Sequence, residues 1–155
     1  MSQNGTKLPD LPEGTALNAK VMGNGEIRVR ISHTETGLSL SITSTLESPD
    51  AHGWQNSHRH TSGIKETYIV QEGWLVVAHQ DRVSGKPLFT YYEAGKQFTL
   101  SGSDAHNVYV GRASVFACVK HGSREGRNDW EPAPEFDEVV KTLEEADFLE
   151  LCHRN

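Results

Sequence analysis

The sequence predicts an all-β domain, either an antiparallel sandwich or a closed barrel, followed by a short helical segment. Two observations support this fold class. Short runs in which apolar and polar residues alternate fill the middle of the chain, and glycine-containing turns such as 23–25 and 84–85 separate them. After about residue 134 the apolar spacing changes from two residues to the three and four residues that are typical of a helix.

The strands follow from the alternation. Ile27, Val29 and Ile31 alternate with Arg28 and Arg30, which predicts a half-buried strand with one solvated face. Similar runs, each bounded by turn residues, continue along the chain. The pattern predicts nine strands in total, at 27–31, 38–42, 52–60, 65–71, 73–80, 87–92, 96–101, 105–110 and 113–120.

A charged, glycine-containing loop is expected at 122–128, and a helix is expected from Pro134 onward. Proline is tolerated in a first helical turn, and the acidic residues that follow suit the positive end of the helix. Thr142 with Glu145 predicts the N-terminal cap of a second short helix. One apolar face is expected, formed by Phe136, Val139, Val140 and Leu143. We expect the helical segment to cover one side of the barrel; a lid and a dimer contact are the alternatives.

The length of 155 residues suits one domain with a sizeable core. We divide the chain into an N-terminal arm (1–17), a barrel domain (18–121) and a C-terminal loop and helical appendage (122–155). Exposed barrel edges favour pairing with a second copy. A homodimer is therefore expected, with the arm and the strand at 27–31 as candidate contacts.

Charge and hydropathy exclude several classes of partner. The formal net charge is −6 and no run of Lys or Arg occurs, so no nucleic-acid partner is expected. No apolar run is as long as a membrane span, and the N-terminal residues lack the apolar core of a secretory signal. A cytoplasmic location with Cys118 and Cys152 as reduced thiols is therefore expected.

The most informative residues are three histidines and a glutamate. His58 and His60 are two residues apart in a predicted strand, so their side chains share a face. Glu66 lies in the next strand, and His106 follows much later. If the four side chains converge inside a barrel, they suit one divalent ion of iron, manganese, nickel, copper or zinc. The alternative interpretation is that they are ordinary polar strand and turn residues.

Two segments that contain these residues resemble the two conserved motifs of the cupin superfamily. Residues 58–73, HRHTSGIKETYIVQEG, resemble the first motif, which has two histidines, a glutamate and a later glycine. Residues 95–106, GKQFTLSGSDAH, resemble the second motif, which supplies one histidine. Ser101, Ser103 and Val110 differ from the residue types usual in the second motif. The resemblance covers about residues 40–120.

This resemblance implies a jelly-roll barrel, also called a double-stranded β-helix. It further implies that His58, His60, Glu66 and His106 bind one metal ion inside the barrel. Such ligand sets serve dioxygenases, isomerases, lyases and decarboxylases, so the fold alone does not select a reaction. All of these alternatives act on a small molecule.

Our first expectation is a dioxygenase-type enzyme, because four side chains leave about two positions of a six-coordinate ion for substrate and oxygen. An isomerase or lyase of a sugar-like or hydroxy-carbonyl substrate is the alternative, and a non-catalytic ligand-binding module is another. Glu66 and Tyr68 are the candidate catalytic residues. Tyr68 shares the face of Glu66, where it can act as an acid or simply be a core tyrosine whose hydroxyl is satisfied.

Overall fold

The computed structural model describes residues 11–48, 50–101, 104–122 and 129–154, which form thirteen strands and two short helices. The fold is therefore mainly β, as the sequence predicts. The helices are α1 (Pro134–Val140) and α2 (Glu145–Leu151). The strands are β1 (Thr15–Val21), β2 (Ile27–His33), β3 (Ser39–Ser44), β4 (Gly53–Trp54), β5 (His58–His60), β6 (Lys65–Glu72), β7 (Trp74–Gln80), β8 (Pro87–Glu93), β9 (Gln97–Ser101), β10 (His106–Val110), β11 (Val115–His121), β12 (Trp130–Pro132) and β13 (His153–Arg154).

The strands form two sheets with a jelly-roll connectivity. The first sheet has the order β1-β2-β3-β11-β6-β9. The second has the order β12-β5-β10-β7-β8-β13, and β4 also pairs with β10. Strands that are distant in sequence lie side by side, since β10 pairs with both β5 and β7 and β11 lies between β3 and β6. This arrangement brings residues from the middle and the end of the predicted barrel to one interior.

One apolar core fills the space between the two sheets. It follows from strand alternation: on β10, Val108 and Val110 face the interior, whereas Tyr109 faces outward. On β9 the interior residue is Phe98, which is buried, while Gln97 is exposed. The core comprises Tyr68, Val70, Leu75, Val77, Phe98, Val108, Val110, Phe116 and Cys118.

The two helices cover the outer face of the second sheet and close a second apolar cluster. Phe136 and Val140 of α1 and Phe148 of α2 are buried against it, together with Tyr109. The prediction that Val139 shares this face is wrong, because Val139 is 46% exposed. Within the described ranges no helix has the length and apolar character needed to cross a membrane.

The cap of the second helix also differs from the sequence prediction. Thr142 donates to the carbonyl of Val139 in the turn after α1, so it does not cap α2. The capping box is instead formed by Glu144 and Asp147, whose side chains each accept a hydrogen bond from the other residue's backbone N–H. A glutamate at the N-cap was not foreseen because serine, threonine, aspartate and asparagine are the preferred residues there.

Two strand boundaries differ from those predicted. The predicted strand at 52–60 is split into β4 and β5, because the Asn107 side-chain amide donates to Gln55 O at 3.1 Å and to Ser57 Oγ at 2.9 Å between them. β1 begins at Thr15, inside the predicted arm, and its mostly exposed edge position explains its weak sequence signal. Residues 1–10 of the arm and 123–128 of the predicted loop lie outside the described residues.

Gly73, the last residue of the first motif, lies in the turn between β6 and β7. Its φ is +70°, a conformation that residues with a side chain rarely adopt. A Cβ atom at this position would lie 2.7 Å from Ala113 O, so there is also no room for one. The glycine therefore allows β6, which carries Glu66, to turn tightly into β7.

Candidate metal centre

The two histidines of β5 point into the barrel and the arginine between them points out. His58 and His60 are buried, as the alternation of strand side chains requires. Arg59 forms ion pairs with Glu131 and Glu135 on the outside. The outward arginine and the inward histidines fix which face of this short strand is turned to the interior.

The four side chains named in the sequence analysis converge between the two sheets. β6 of the first sheet supplies Glu66, and β10 of the second sheet supplies His106, directly opposite His58 of β5. The candidate ligand atoms of His58, His60, Glu66 and His106 all lie within 4.8 Å of one another, and all four residues are buried. Each histidine Nε2 lies 3.5 or 3.6 Å from an oxygen of the Glu66 carboxylate.

A separate acceptor orients each imidazole through its Nδ1 atom. The Nδ1 atom of His58 lies 3.0 Å from Asn56 O, and that of His106 lies 3.2 Å from Asp104 O. The Nδ1 atom of His60 lies 2.6 Å from Asp129 Oδ2. Because an acceptor at Nδ1 keeps the proton there, the Nε2 atom of each neutral ring is left with its lone pair directed inward.

The cluster fits a divalent metal ion. The Nε2 atoms of His58, His60 and His106 are buried and have no hydrogen-bond partner among the described residues. Leaving three buried acceptors unpaired is unfavourable unless a ligand satisfies them. Neutral imidazole nitrogens with one carboxylate oxygen are donors that first-row transition metals accept. The candidate ligand atoms are slightly further apart than the roughly 3 Å between adjacent ligands of an octahedral ion with bonds of about 2.1 Å. Small shifts of the side chains would therefore bring all four into contact with one ion.

The protonation states also suit a metal site. Burial lowers the pKa of the His58 imidazole, and the nearby Glu66 carboxylate offsets this only in part, so the ring is neutral near pH 7. Burial raises the pKa of the Glu66 carboxyl, but the three imidazoles that surround it and the charge of Lys120 outweigh this effect. The pKa of Glu66 therefore lies well below its usual value, and the group is ionised.

Tyr68 contacts the carboxylate from the same strand. Its hydroxyl donates to Glu66 Oε2 at 2.9 Å, and its ring stacks on Phe98 with centroids 4.9 Å apart. Burial raises the pKa of this hydroxyl well above its usual value. Tyr68 is thus a core tyrosine whose hydroxyl is satisfied by a candidate ligand, while it also lines the cavity described below.

Three residues of the site were not identified from the sequence. Lys120 of β11 lies opposite Glu66 in register, and its Nζ is 2.6 Å from Glu66 Oε1. Asp129 holds His60, and its other oxygen accepts the backbone N–H of Ser62 at 2.7 Å. The ring of Trp130 stacks on His58 with centroids 5.5 Å apart. Neither the motifs nor local alternation point to these residues, because each contact joins segments more than 50 residues apart in sequence.

His79 is the nearest histidine outside the cluster. It lies directly opposite His106, on β7, and therefore on the same face of the second sheet. It is only half-buried and is not part of the group of convergent ligand atoms. His79 is therefore not a candidate ligand.

A cavity of about 650 Å³ opens beside the cluster and is lined by His58, Glu66 and Tyr68. Its other wall is formed by the inward residues of β2 and β3. Trp54 and Trp130 contribute aromatic surface to it. The cavity is large enough for a small organic molecule to reach the candidate ligands from the solvent.

No protein-family model and no curated protein matches the sequence. Among solved structures, the fold is similar to oxalate decarboxylase of Lactobacillus farciminis in a formate complex, with a TM-score of 0.55, 11% identity and coverage of 93% of this chain and 45% of that one. It is also similar to the cupin domain of Drosophila melanogaster CENP-C, with a TM-score of 0.51, 13% identity and coverage of 68% and 70%. At such identities the likeness shows the fold alone. The chain has a cupin-like jelly-roll fold.

Proposed function

We propose that the protein is a mononuclear metal-dependent enzyme that acts on a small polar substrate. The observation that carries this proposal is the set of three buried, unpartnered Nε2 atoms around an ionised carboxylate, beside an open cavity. A structural ion is usually enclosed by its ligands. An accessible cavity beside the ligand set instead suits a site at which a substrate binds.

His58, His60, Glu66 and His106 would hold one ion of iron, manganese, nickel or zinc. When bound, the ion would polarise substrate oxygens as a Lewis acid or, if redox-active, support oxygen chemistry. The chain's own residues prepare the site. Asp129 orients His60, and Lys120 and Tyr68 hold the two oxygens of Glu66 at fixed positions. Such pre-organisation limits the reorganisation needed during a reaction.

A dioxygenase-type reaction is our first choice. Four protein donors leave about two positions on a six-coordinate ion, which suits an enolate or hydroxy-carbonyl substrate together with oxygen. Trp130 lines the cavity near the cluster, and no fifth candidate ligand joins the four among the residues that the structure describes.

An isomerase or lyase is the second candidate, and a specific observation favours it. Lys120 and Tyr68 both carry protons, both contact Glu66, and both line the cavity. A reaction that moves a proton between adjacent carbons needs such a group within reach of the substrate. The likeness to oxalate decarboxylase, which is an enzyme, supports catalysis on this fold without selecting a reaction.

The decisive experiment combines metal analysis with oxygen dependence. Protein purified without chelators is analysed for metal, then reconstituted with iron, manganese, nickel or zinc. Each form is tested with β-diketones, hydroxy acids, sugars and sugar phosphates, in air and under anaerobic conditions. Oxygen consumption that requires both substrate and reduced metal supports a dioxygenase. Turnover unaffected by air, with solvent deuterium in the product, supports an isomerase instead.

Glu66→Gln is the matched variant for this experiment. It keeps an oxygen donor of the same size but removes the negative charge, so we expect turnover to fall far more than thermal stability. Ligand binding by metal-loaded protein without turnover of any substrate would contradict the enzyme proposal and favour a binding module. Protein that takes up no metal in any reconstitution would contradict the metal centre itself.

A further inference from the structure

Four buried hydrogen-bond donors outside the histidine cluster have no partner among the described residues. They are the only buried side-chain polar atoms without a partner, besides the three histidine Nε2 atoms, in the part of the chain that the structure describes. All four belong to residues that line the cavity. The donors are Arg28 Nε, Arg30 Nε, Thr43 Oγ1 and Trp54 Nε1.

Strand register explains why three of these donors are neighbours. Arg28 and Arg30 are the inward residues of β2, since Val29 between them faces out. Arg28 lies directly opposite Thr43 of β3, and Arg30 lies directly opposite Ser41. Arg28, Arg30 and Thr43 therefore form one wall, which we call the donor wall. Thr43 is fully buried, so solvent does not satisfy its hydroxyl.

Arg28 and Arg30 differ in their contacts with other protein side chains. Arg28 forms an ion pair with the buried carboxylate of Glu26. Glu26 in turn accepts from the Gln55 amide at 3.1 and 3.2 Å. Arg30, in contrast, makes no hydrogen bond or ion pair to any residue in the described ranges. Its guanidinium is therefore the cation of the donor wall that has no partner within the described ranges, and its backbone is fixed by β2.

The charge of the cavity has the opposite sign to that of the whole chain. Five basic residues line it but only two carboxylates do, whereas the formal net charge of the protein is −6. A local excess of positive charge inside a concave site attracts anions. The overall composition of the chain, which is acidic, does not account for this excess. The lining residues with charge are Lys20, Glu26, Arg28, Arg30, Glu66, Lys120 and Lys141.

The donor wall and the metal ligands lie at a distance that one small molecule can span. In the first sheet, β2 is separated from β6 by β3 and β11. Three strand spacings place the two backbones roughly 14 Å apart along the sheet. Arg30 and Glu66 both line the cavity, so the gap between them lies within one open space.

From these observations we infer that the substrate of this site is an organic oxyanion, a carboxylate or a phosphate ester. Its anionic group binds the guanidinium of Arg30, beside Thr43, and its opposite end reaches His58, His60, Glu66 and His106. An oxyanion offers several acceptors to a guanidinium, whose planar N–H groups bind it in a bidentate manner. The placement of one end of the substrate at the candidate metal ligands rests on the proposed function. The placement of its anionic group rests on the donor wall alone.

The test measures anion binding by the full-length, metal-free protein, so that it does not depend on catalysis. Isothermal titration calorimetry at low ionic strength compares three probes: glutarate, its uncharged diamide glutaramide, and inorganic phosphate. We expect glutarate or phosphate to bind about tenfold more tightly than glutaramide, the size expected for charge-assisted hydrogen bonds. The stronger of the two anions identifies the source of the oxyanion as a carboxylate or a phosphate.

Variants assign the binding to the donor wall. Arg30→Gln should weaken anion binding about tenfold or more, and Thr43→Val should weaken it less. Arg82→Gln is the matched control, because Arg82 pairs with Asp104 on the surface and does not line the cavity. Arg30→Gln should unfold at the same temperature as the unmodified protein and bind as much metal, since Arg30 has no protein partner to lose.

Three results would overturn the inference. They are equal binding of glutaramide and the anions, equal anion binding by the Arg30→Gln and Arg82→Gln proteins, and no anion binding by either metal-free or metal-loaded protein. A different result would contradict the proposed function but not this inference. The protein would take up no metal or turn over no substrate, while the metal-free protein would still bind the anion.

Discussion

At the residue scale, the three histidines are all candidate ligands and can be tested together. His60→Ala or His106→Ala should remove most of the bound metal, because each change takes one donor from a set of four. His79→Ala is a close control, since His79 lies opposite His106 on the same face without belonging to the cluster. Metal content is measured by elemental analysis after dialysis. Full occupancy in both ligand variants would disprove the assignment.

Asp129 provides a second residue-scale prediction. Because its carboxylate orients His60, Asp129→Ala should weaken metal binding by about 10- to 100-fold, as loss of an outer partner typically does. Asp104→Ala is the matched control, since His106 is held by the backbone carbonyl of Asp104, which this change keeps. Competition with a chromogenic chelator measures both affinities. Equal affinities for the two variants would show that Asp129 does not support the site.

The sequence could identify the four side chains that converge but not the residues that contact them. His58, His60 and Glu66 lie within one short segment, and the fixed two-residue period of a strand shows that the two histidines share a face. Asp129 and Lys120 reach the site only because β12 lies beside β5 and β11 lies beside β6. Such pairing depends on tertiary structure, and no local pattern encodes it.

At the element scale, a polar contact connects α1 with the strand that carries two ligands. Asp137 Oδ1 accepts from Ser57 N at 3.0 Å and from Asn107 Nδ2 at 2.9 Å. Ser57 directly precedes β5 in the chain, and Asn107 belongs to β10. Both are buried, so water does not replace a missing acceptor there. The helix therefore takes part in positioning His58 as well as in covering the sheet.

Asp137→Ala should lower the free energy of unfolding by about 1–3 kcal/mol, the usual effect of leaving buried donors unpaired. It should also weaken metal binding, because the start of β5 loses its support. Glu138→Ala, an exposed position of the same helix, should change neither quantity. Denaturant unfolding of the metal-free proteins provides the measurement. Identical midpoints for the two variants would show that the contact does not contribute to stability.

Element boundaries were predicted less accurately than element types. Eight of the nine predicted strands correspond to single observed strands, while the ninth, 52–60, is interrupted by the side chain of Asn107. The missed cap at Glu144 has a different cause, since glutamate is not among the preferred N-cap residues. In both cases a polar side chain makes a hydrogen bond that hydrophobic periodicity does not reveal.

At the scale of the whole molecule, the outer face of the first sheet is unusually apolar. Five of its side chains, aligned across β1, β2 and β3, are each between 42% and 47% exposed. They are Leu17, Val29, Ile31, Leu40 and Ile42. The outward positions of these three strands carry no Lys, Arg, Asp or Glu. Two copies can therefore meet there without the repulsion that a net charge of −6 causes elsewhere.

We propose that this face forms a two-fold homodimer interface, which includes the strand predicted from the sequence as a candidate contact. Light scattering should give twice the mass of the chain at micromolar concentration. Ile31→Glu should produce monomers, because a dimer would bury the introduced charge of each copy in an apolar interface. Val83→Glu changes an equally apolar residue that is 96% exposed in a turn, and it should leave the dimer intact. A monomeric unmodified protein would disprove the proposal.

The ion pair between Lys120 and Glu66 bears on whether the protein can fold before it binds a metal ion. A buried carboxylate normally needs a compensating charge, and here a lysine of the chain itself provides it. Folding therefore does not have to wait for an ion, in contrast to small zinc domains that are unfolded without one. We therefore expect the chain to be folded before any ion binds, and the ion that it then binds to depend on metal supply as well as on affinity.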